Sequence, residues 1–265
     1  MSSKIENLIE ILVVNFHNSK ITLSKIVAKI QQNVITLLVI RLLLIKLLLM
    51  KKIVIIDGGP RKNMNTAAMI EAFSDGAKSV GEKLEVKRIR LYELDYKGCY
   101  SCLACKLKNS KFRDVCAYKD GLTETLRETA YADGVVFASP IYYSRVTGQM
   151  ESFIERLTFP WLSYNDYSLT PPKRIPAAVI YTMNDPTAER RSLQSLEILL
   201  GGFYGEKPER VAACNTYQVH DYDLYDMKSF STEKKEQWRA EHWEHDLRNA
   251  YEAGRRMAEK IIGTN

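Results

Sequence analysis

The stretch Lys51-Lys52-Ile53-Val54-Ile55-Ile56-Asp57-Gly58-Gly59-Pro60-Arg61-Lys62-Asn63-Met64-Asn65-Thr66 decides how the rest of this chain is read. Ile53 to Ile56 is the apolar, β-branched run of a buried strand. It stops at Asp57-Gly58-Gly59-Pro60, which is turn chemistry. Beyond Thr66 the apolar residues Ile70, Phe73, Ala77 and Val80 recur at helical spacing. A strand, a tight polar loop and a helix in that order make an anion site. The helix start leaves backbone N–H groups unpaired, and its dipole favours negative charge. Gly58 and Gly59 allow close backbone approach, Arg61 adds a cation, and Asn65 and Thr66 can cap the helix or donate to phosphate oxygens. The loop has neither the Gly-Lys-Ser/Thr of a Walker loop nor a G-x-G-x-x-G pattern, so a single terminal phosphate is expected rather than a triphosphate or a dinucleotide pyrophosphate. An ordinary strand-to-helix turn is the plainer alternative.

Working outward, the same alternation repeats. Leu84 to Leu91 is strand-like, residues 92–120 form a polar, cysteine-bearing connection, and Leu122 to Tyr131 reads as a helix. Gly134 to Ser139 is a second fully apolar strand, followed by a helix with Val146, Met150, Phe153, Ile154 and Leu157 on one face. Ala177 to Tyr181 and Glu209 to Cys214 are further strands with a helix between them, and a final helix runs over about residues 233–262. Strands alternating with helices predict an α/β fold with a parallel sheet covered on both faces. Five strands fit a doubly wound sheet of order 2-1-3-4-5. In that order the first and third strands are neighbours, so Gly58 to Thr66 and Pro140 to Gly148 should meet around one ligand.

The chain has 265 residues, 46% hydrophobic and 26% charged, which fits a globular protein with a sizeable core. Its formal net charge is +6. Residues 1–49 carry six Lys/Arg and two Asp/Glu, leaving the remainder at +2, which argues against a nucleic-acid platform. Those first 49 residues contain no Gly and no Pro, and Val34 to Met50 is apolar except for Thr36, Arg41 and Lys46. Met50 directly precedes the first strand. We therefore expect residues 1–49 to be an extension outside the native fold, translated from upstream of a natural start at Met50. A membrane anchor or signal-like segment and a true helical extension are the alternatives. Residues 50–265 are expected to form one domain ending in a helical tail.

Pro140-Ile141-Tyr142-Tyr143-Ser144 offers a rigid apolar turn with aromatic rings beside the anion loop, and Gly148 permits close approach. Phosphate at one end and a planar heterocycle at the other describe flavin mononucleotide (FMN). At this point the chain resembles the NADPH-dependent FMN reductases of flavodoxin-like fold. Gly59-Pro60-Arg61-Lys62-Asn63-Met64-Asn65-Thr66 is similar to their Ser-Pro-Arg…Asn/Ser-Thr phosphate loop, with Gly where many members have Ser. Ala138 to Gln149 resembles their second flavin loop. The resemblance covers about residues 51–215. It implies bound FMN, reduction by NADH or NADPH, and a homodimer. It assigns Gly59, Pro60, Arg61, Asn63, Asn65 and Thr66 to the phosphate, and Pro140, Ile141, Tyr142, Tyr143, Ser144, Thr147 and Gly148 to the ring. The flavin carries the chemistry, so no catalytic side chain is expected. The electron acceptor would be a small molecule: a quinone, a nitro or azo compound, or free flavin. A flavodoxin-like electron carrier and a non-catalytic module of the same fold are the competing readings.

Four of the five cysteines crowd into Cys99-x-x-Cys102-x-x-Cys105 and Cys116. The spacing is not that of a secreted disulfide framework, which favours the reducing cytoplasm. Three thiolates so spaced with a fourth nearby can hold a [4Fe–4S] cluster. Iron-sulfur flavoproteins of the same superfamily carry a compact motif in this connection, with a shorter last gap than the ten residues here. Zinc, and plain structural or redox thiols, are alternatives. Cys214 is expected in the core. His242-x-x-His245 reads as a solvated helix face before it reads as a metal site. Trp161, Tyr164, Tyr167, Tyr217, Tyr222 and Tyr225 either pack their loops or form a dimer contact or a lid over the flavin, and Asn184-Asp185-Pro186, at the cofactor edge, reads as a turn, with a lining of the substrate pocket as the alternative.

Overall fold

The computed structural model describes residues 50–188 and 191–263, with scattered positions 10, 31, 32, 36, 38, 39 and 41. The expectations for residues 1–49 therefore lie largely outside the described residues. The chain divides into two compact units, Met1–Met50 and Lys51–Asn265. In the first, the described positions before Met50 are helical, and Thr36 Oγ1 donates to Gln32 O at 2.8 Å. Among the described residues no helix is long and apolar enough to cross a membrane.

The second unit is built on five parallel strands in the order β2-β1-β3-β4-β5. They are β1 (Lys51–Asp57), β2 (Leu84–Arg90), β3 (Gly134–Pro140), β4 (Ala177–Thr182) and β5 (Glu209–Ala213). The helices are α1 (Asn65–Lys78), α2 (Thr123–Ala130), α3 (Gly148–Thr158), α4 (Arg191–Tyr204) and α5 (Thr232–Gly263). The expected fold class and strand order are both observed. β1 and β3 are buried along nearly their whole length, as their unbroken apolar runs require.

Because side chains alternate across a strand, the central strands feed two cores. Val54, Ile56, Val135, Phe137, Val179 and Tyr181 face α2, α3 and α4. Ile53, Ile55, Val136, Ala138, Ala178 and Ile180 face α1 and α5. The last helix is a structural layer rather than a tail. Its C-terminal half buries Ala250, Ala253, Met257 and Ile261 against the sheet and α1, as its apolar stripe anticipates.

Two glycines set how close α1 and α5 lie. A Cβ added at Gly76 would fall 1.9 Å from Tyr251 O, and one at Gly254 would fall 2.0 Å from Phe73 O. The helices touch backbone to backbone, and no side chain fits between them. Gly254→Ala should force them apart and destabilise the domain by about 3 kcal/mol, the upper range for overpacking. Urea unfolding of the variant beside the parent checks this.

Candidate active site

The phosphate loop takes its shape from Asp57, the last residue of β1. Its carboxylate is fully buried. Oδ1 accepts the Gly59 N–H at 2.8 Å, while Oδ2 accepts from Arg88 (2.7 and 3.0 Å) and Arg90 (3.1 Å) on β2. A Cβ at residue 59 would stand 2.9 Å from that same Oδ1. Glycine, in place of the serine that many similar loops carry, lets the backbone close on the carboxylate.

The loop then enters α1 without a cap. Met64 is the N-cap residue, no side chain bonds to the helix start, and the first turn holds no acidic residue. The first-turn N–H groups and the positive end of the dipole are thus left for an external anion. Neither Asn65 nor Thr66 caps the helix, although both residue types favour that role. Asn65 Nδ2 donates to Tyr217 O at 2.6 Å, and the hydroxyls of Thr66 and Thr182 bond at 2.7 Å. Arg61 donates to Gln218 O.

The second loop docks on the first because β1 and β3 are neighbours. Gly58 N–H donates to Ala138 O at 2.8 Å. Thr147 Oγ1 donates to Gly58 O at 2.9 Å and also accepts from Met150 N–H as the cap of α3. Tyr143 and Ser144 lie at the tip of a tight turn closed between Tyr142 and Arg145, both with positive φ (49° and 64°). Tyr143 is fully exposed.

Together the loops line one open cleft at the C-terminal edge of the sheet. Of the residues anticipated from sequence, Gly59, Pro60, Arg61, Asn65, Thr66, Pro140, Ile141 and Tyr142 line it. Asn63 is exposed beside it, Tyr143 and Ser144 project from the rim, Thr147 is buried beneath, where it ties the two loops together, and Gly148 is exposed at the start of α3. A third wall was read from sequence only in part, through Asn184 and Tyr217 as alternatives to a turn and to loop packing. It consists of Thr182, Met183 and Asn184 after β4, and Thr216, Tyr217 and Gln218 after β5. Asn184-Asp185-Pro186, read as a turn, thus contributes one lining side chain. The described lining contains one arginine and no carboxylate, so it favours an anion. The amide oxygen of Gln218 is buried in the wall without a hydrogen-bond partner.

The cysteines form a second constellation. Cys99, Cys102, Cys105 and Cys116 line one narrow cavity with Tyr100, Tyr118 and Arg156, and all four are free thiols. Ser101 and Leu103 adopt left-handed backbone (φ 53° and 56°), a conformation that costs about 1–2 kcal/mol for such residues. These turns curl the C-x-x-C-x-x-C segment around the cavity, and Ser101 N–H donates to Cys99 Sγ at 3.4 Å. The ten-residue gap still returns Cys116 to the same wall. Arg156 is buried there, bonded to Asp120 at 2.6 Å, Lys97 O and Tyr118 O, with its Nε unpartnered. Burial opposes its charge, but Asp120 and the Cys116 thiol outweigh this and raise its pKa. Burial also pushes the Cys105 thiol up, against the pull of Lys106. Among the described residues no three His, Cys, Asp or Glu side chains are grouped as ligands for a metal ion. His242 stacks on Trp238 (ring centroids 4.0 Å apart) and His245 is exposed, which fits a helix surface. Trp161 is core, Tyr222 is buried, and Tyr164, Tyr167 and Tyr225 are exposed. Cys214 is partly buried against the core.

A five-stranded 2-1-3-4-5 sheet with an anion cleft at the β1/β3 switch point defines the flavodoxin-like class. Residues 51–204 match the pattern of the NADPH-dependent FMN reductases, and the chain belongs to that family. An iron-sulfur flavoprotein of Archaeoglobus fulgidus is 35% identical over 107 residues, which span 40% of this chain and 45% of that protein. One from Methanosarcina thermophila is 29% identical over 105 residues, 40% of this chain and 51% of that protein. The chain thus spans about half the length of the curated relatives it matches. Among solved structures, an FMN-dependent NADH-azoreductase from Bacillus anthracis in complex with FMN superposes with a TM-score of 0.55 at 14% identity, covering 78% of this chain and 100% of that one. An NAD(P)H:quinone oxidoreductase from Methanothermobacter marburgensis gives a TM-score of 0.54 at 17% identity, covering 78% and 98%. These two likenesses concern the fold.

Asp57→Asn should leave Arg88 and Arg90 without their carboxylate and loosen the loop. We expect a loss of about 3 kcal/mol, the low end for a buried pair broken from one side, because both arginines keep some solvent. Chemical denaturation of the variant is the measurement.

Proposed function

We propose that residues 50–265 form one FMN-binding domain that acts as an NAD(P)H-dependent oxidoreductase, passing electrons to a small acceptor such as a quinone, a nitro or azo compound, or free flavin. The observation that carries this reading is the single cleft that joins the uncapped N-terminus of α1 to the apolar Pro140-Ile141-Tyr142 turn. The described residues fit FMN. The helix start and Arg61 suit a terminal phosphate. The Pro140 to Tyr142 turn suits a flat ring, and the orphaned Gln218 oxygen awaits a donor. FMN, when bound, supplies the redox chemistry by which a nicotinamide's electrons reach an acceptor.

The protein's part is to bind and orient. Arg61 and the first turn of α1 would neutralise the phosphate, while Pro140 and Ile141 would exclude water from one side of the ring. Tyr142, half exposed, would stand at the open edge where nicotinamide and acceptor arrive in turn. A second copy of the chain is the expected protein partner, with the exposed Tyr143 at the rim available to it. The cysteine spacing, unlike that of a secreted disulfide framework, supports a reducing cytoplasm.

Titrating the purified protein with FMN tests the reading. We expect a saturable change in the flavin spectrum, and NADH or NADPH oxidation supported by a quinone or azo acceptor. Arg61→Ala should weaken FMN binding about tenfold, or roughly 1.4 kcal/mol, with little effect on folding. Protein that takes up no FMN would overturn the reading, and FMN uptake without turnover on any acceptor would leave an electron carrier.

A second reading adds a [4Fe–4S] cluster at Cys99, Cys102, Cys105 and Cys116. It is favoured by the four thiols lining one cavity against a buried arginine whose Nε lacks a partner. Such clusters are held by four cysteine thiolates, and hydrogen bonds to sulfur tune them. Iron and sulfide analysis of protein prepared without oxygen should give about four of each per chain if this holds. Absence of both after anaerobic reconstitution would leave structural thiols.

A further inference from the structure

The third wall of the cleft is held from behind by one buried cation. Lys235 lies in the first turn of α5 and is 5% exposed. Its ammonium donates to Asn184 Oδ1, to Asn215 Oδ1 at 2.5 Å and to Thr216 O at 3.3 Å. Asn184 and Thr216 line the cleft. The nearest ring, Phe230, lies 5.5 Å from the ammonium. Every protein acceptor is neutral: among the described residues no carboxylate stands within ion-pair distance of it. Burial alone acts on its pKa, pulling it down, with no acid to restore it.

That arrangement is costly unless something offsets it. A buried charge is normally paired, and an ammonium with only amide and carbonyl partners lacks its counter-charge. The cleft it adjoins carries an arginine and no acid among its described lining residues. Two neighbours on the same helix fasten the same segment. Trp238 Nε1 donates to Cys214 O at 3.1 Å, and the Arg239 guanidinium lies 5.4 Å from the Tyr217 ring centroid. The segment in turn accepts from Asn65 and Arg61 of the phosphate loop. Lys235, Trp238, Arg239 and the segment Cys214 to Gln218 that they hold lie beyond residue 204, where the family match ends.

We propose that Lys235 is a cofactor-positioning residue: it locks the loops after β4 and β5 into one wall of the cleft and sets a positive charge behind that wall that stabilises negative charge on the bound cofactor. The proposal rests on the FMN reading of the cleft. Its consequence is a preference for the reduced, negatively charged flavin over the oxidised neutral ring. Lys235→Met should remove this preference while retaining the aliphatic stem.

The test is the two-electron midpoint potential of protein-bound FMN in the parent, Lys235→Met and Lys235→Arg, with FMN affinity and thermal unfolding measured alongside. We expect Lys235→Met to weaken binding of the reduced form about tenfold more than the oxidised form, which for a two-electron couple lowers the potential by about 30 mV. Lys235→Arg should restore most of it. An unchanged potential in Lys235→Met protein that still binds FMN would overturn the proposal and reduce the lysine to a structural pin. Should Lys235→Met fail to fold, Asn184→Ala and Lys235→Arg carry the test. Asn184→Ala should loosen the wall but keep the charge, so FMN affinity falls with the potential held. A potential that falls by about 30 mV in Lys235→Arg or in Asn184→Ala, both of which keep the charge, would also overturn it. If the parent itself binds no FMN, the reading of the cleft fails instead, which is a separate result.

Discussion

The buried carboxylate of Asp57 is the constraint on which the site depends. It stands at the C-terminal end of the central strand, where five parallel strands open into loops, and it cannot be left alone there. Two β2 arginines and a backbone N–H satisfy it. The arginines fasten β2 to β1 at the point where the sheet ends. The N–H bends Gly59 back toward the strand, so the following residues enter α1 from a fixed direction. The loop can then afford to leave its helix uncapped, because its shape is held from below. The positive helix start is kept open for an anion, and no protein acid competes for it.

The sheet order turns this local arrangement into a cleft. Parallel pairing of β1 with β3 sets Asp57 opposite Ala138, so the two loops leave the sheet side by side. Thr147 joins them by bonding to Gly58 O while it caps α3. One hydroxyl therefore couples the direction of α3 to the position of the phosphate loop. The apolar runs of β1 and β3 are buried on both faces by helices that cannot move independently of the strands. The cleft is accordingly rigid on two sides.

The fold was legible because its signals are local and repeated. Ile53 to Ile56 and Val135 to Ala138 are continuous apolar runs that only a doubly covered sheet accommodates. The helical stripe of α5 also predicts its buried face. The two loops that line the cleft were legible because turn residues and a cation sit at a strand end. The third wall was legible only in part, for a physical reason. Asn184 belongs to a turn signal and Tyr217 to the loop aromatics, but Thr182, Met183, Thr216 and Gln218 carry no turn or charge signature of their own. They line the cleft only because β4 and β5 end beside it and Lys235, 51 residues beyond Asn184 and 19 beyond Thr216, draws the two loops together. Residue types that are ordinary singly become a wall through contacts distant in sequence. Asn65 and Thr66 show the converse. Their types favour capping, yet tertiary partners at Tyr217 and Thr182 claim both side chains.

The cysteine connection extends the same logic to a second place. A C-x-x-C-x-x-C run curls around a cavity only if the intervening residues accept unfavourable backbone, and Ser101 and Leu103 do. Neither is glycine, so the left-handed turns persist because their surroundings over-determine them. Arg156 supplies much of that constraint. Its guanidinium gathers Lys97 O, Tyr118 O and Asp120 from three points along the connection and holds them against α3. The charge that organises the loop is thereby fixed at the wall the thiols share. The Arg156 Nε has no protein partner, and the Cys116 thiol acts with Asp120 to raise the arginine's pKa, so a buried cation and a thiol face each other across this cavity.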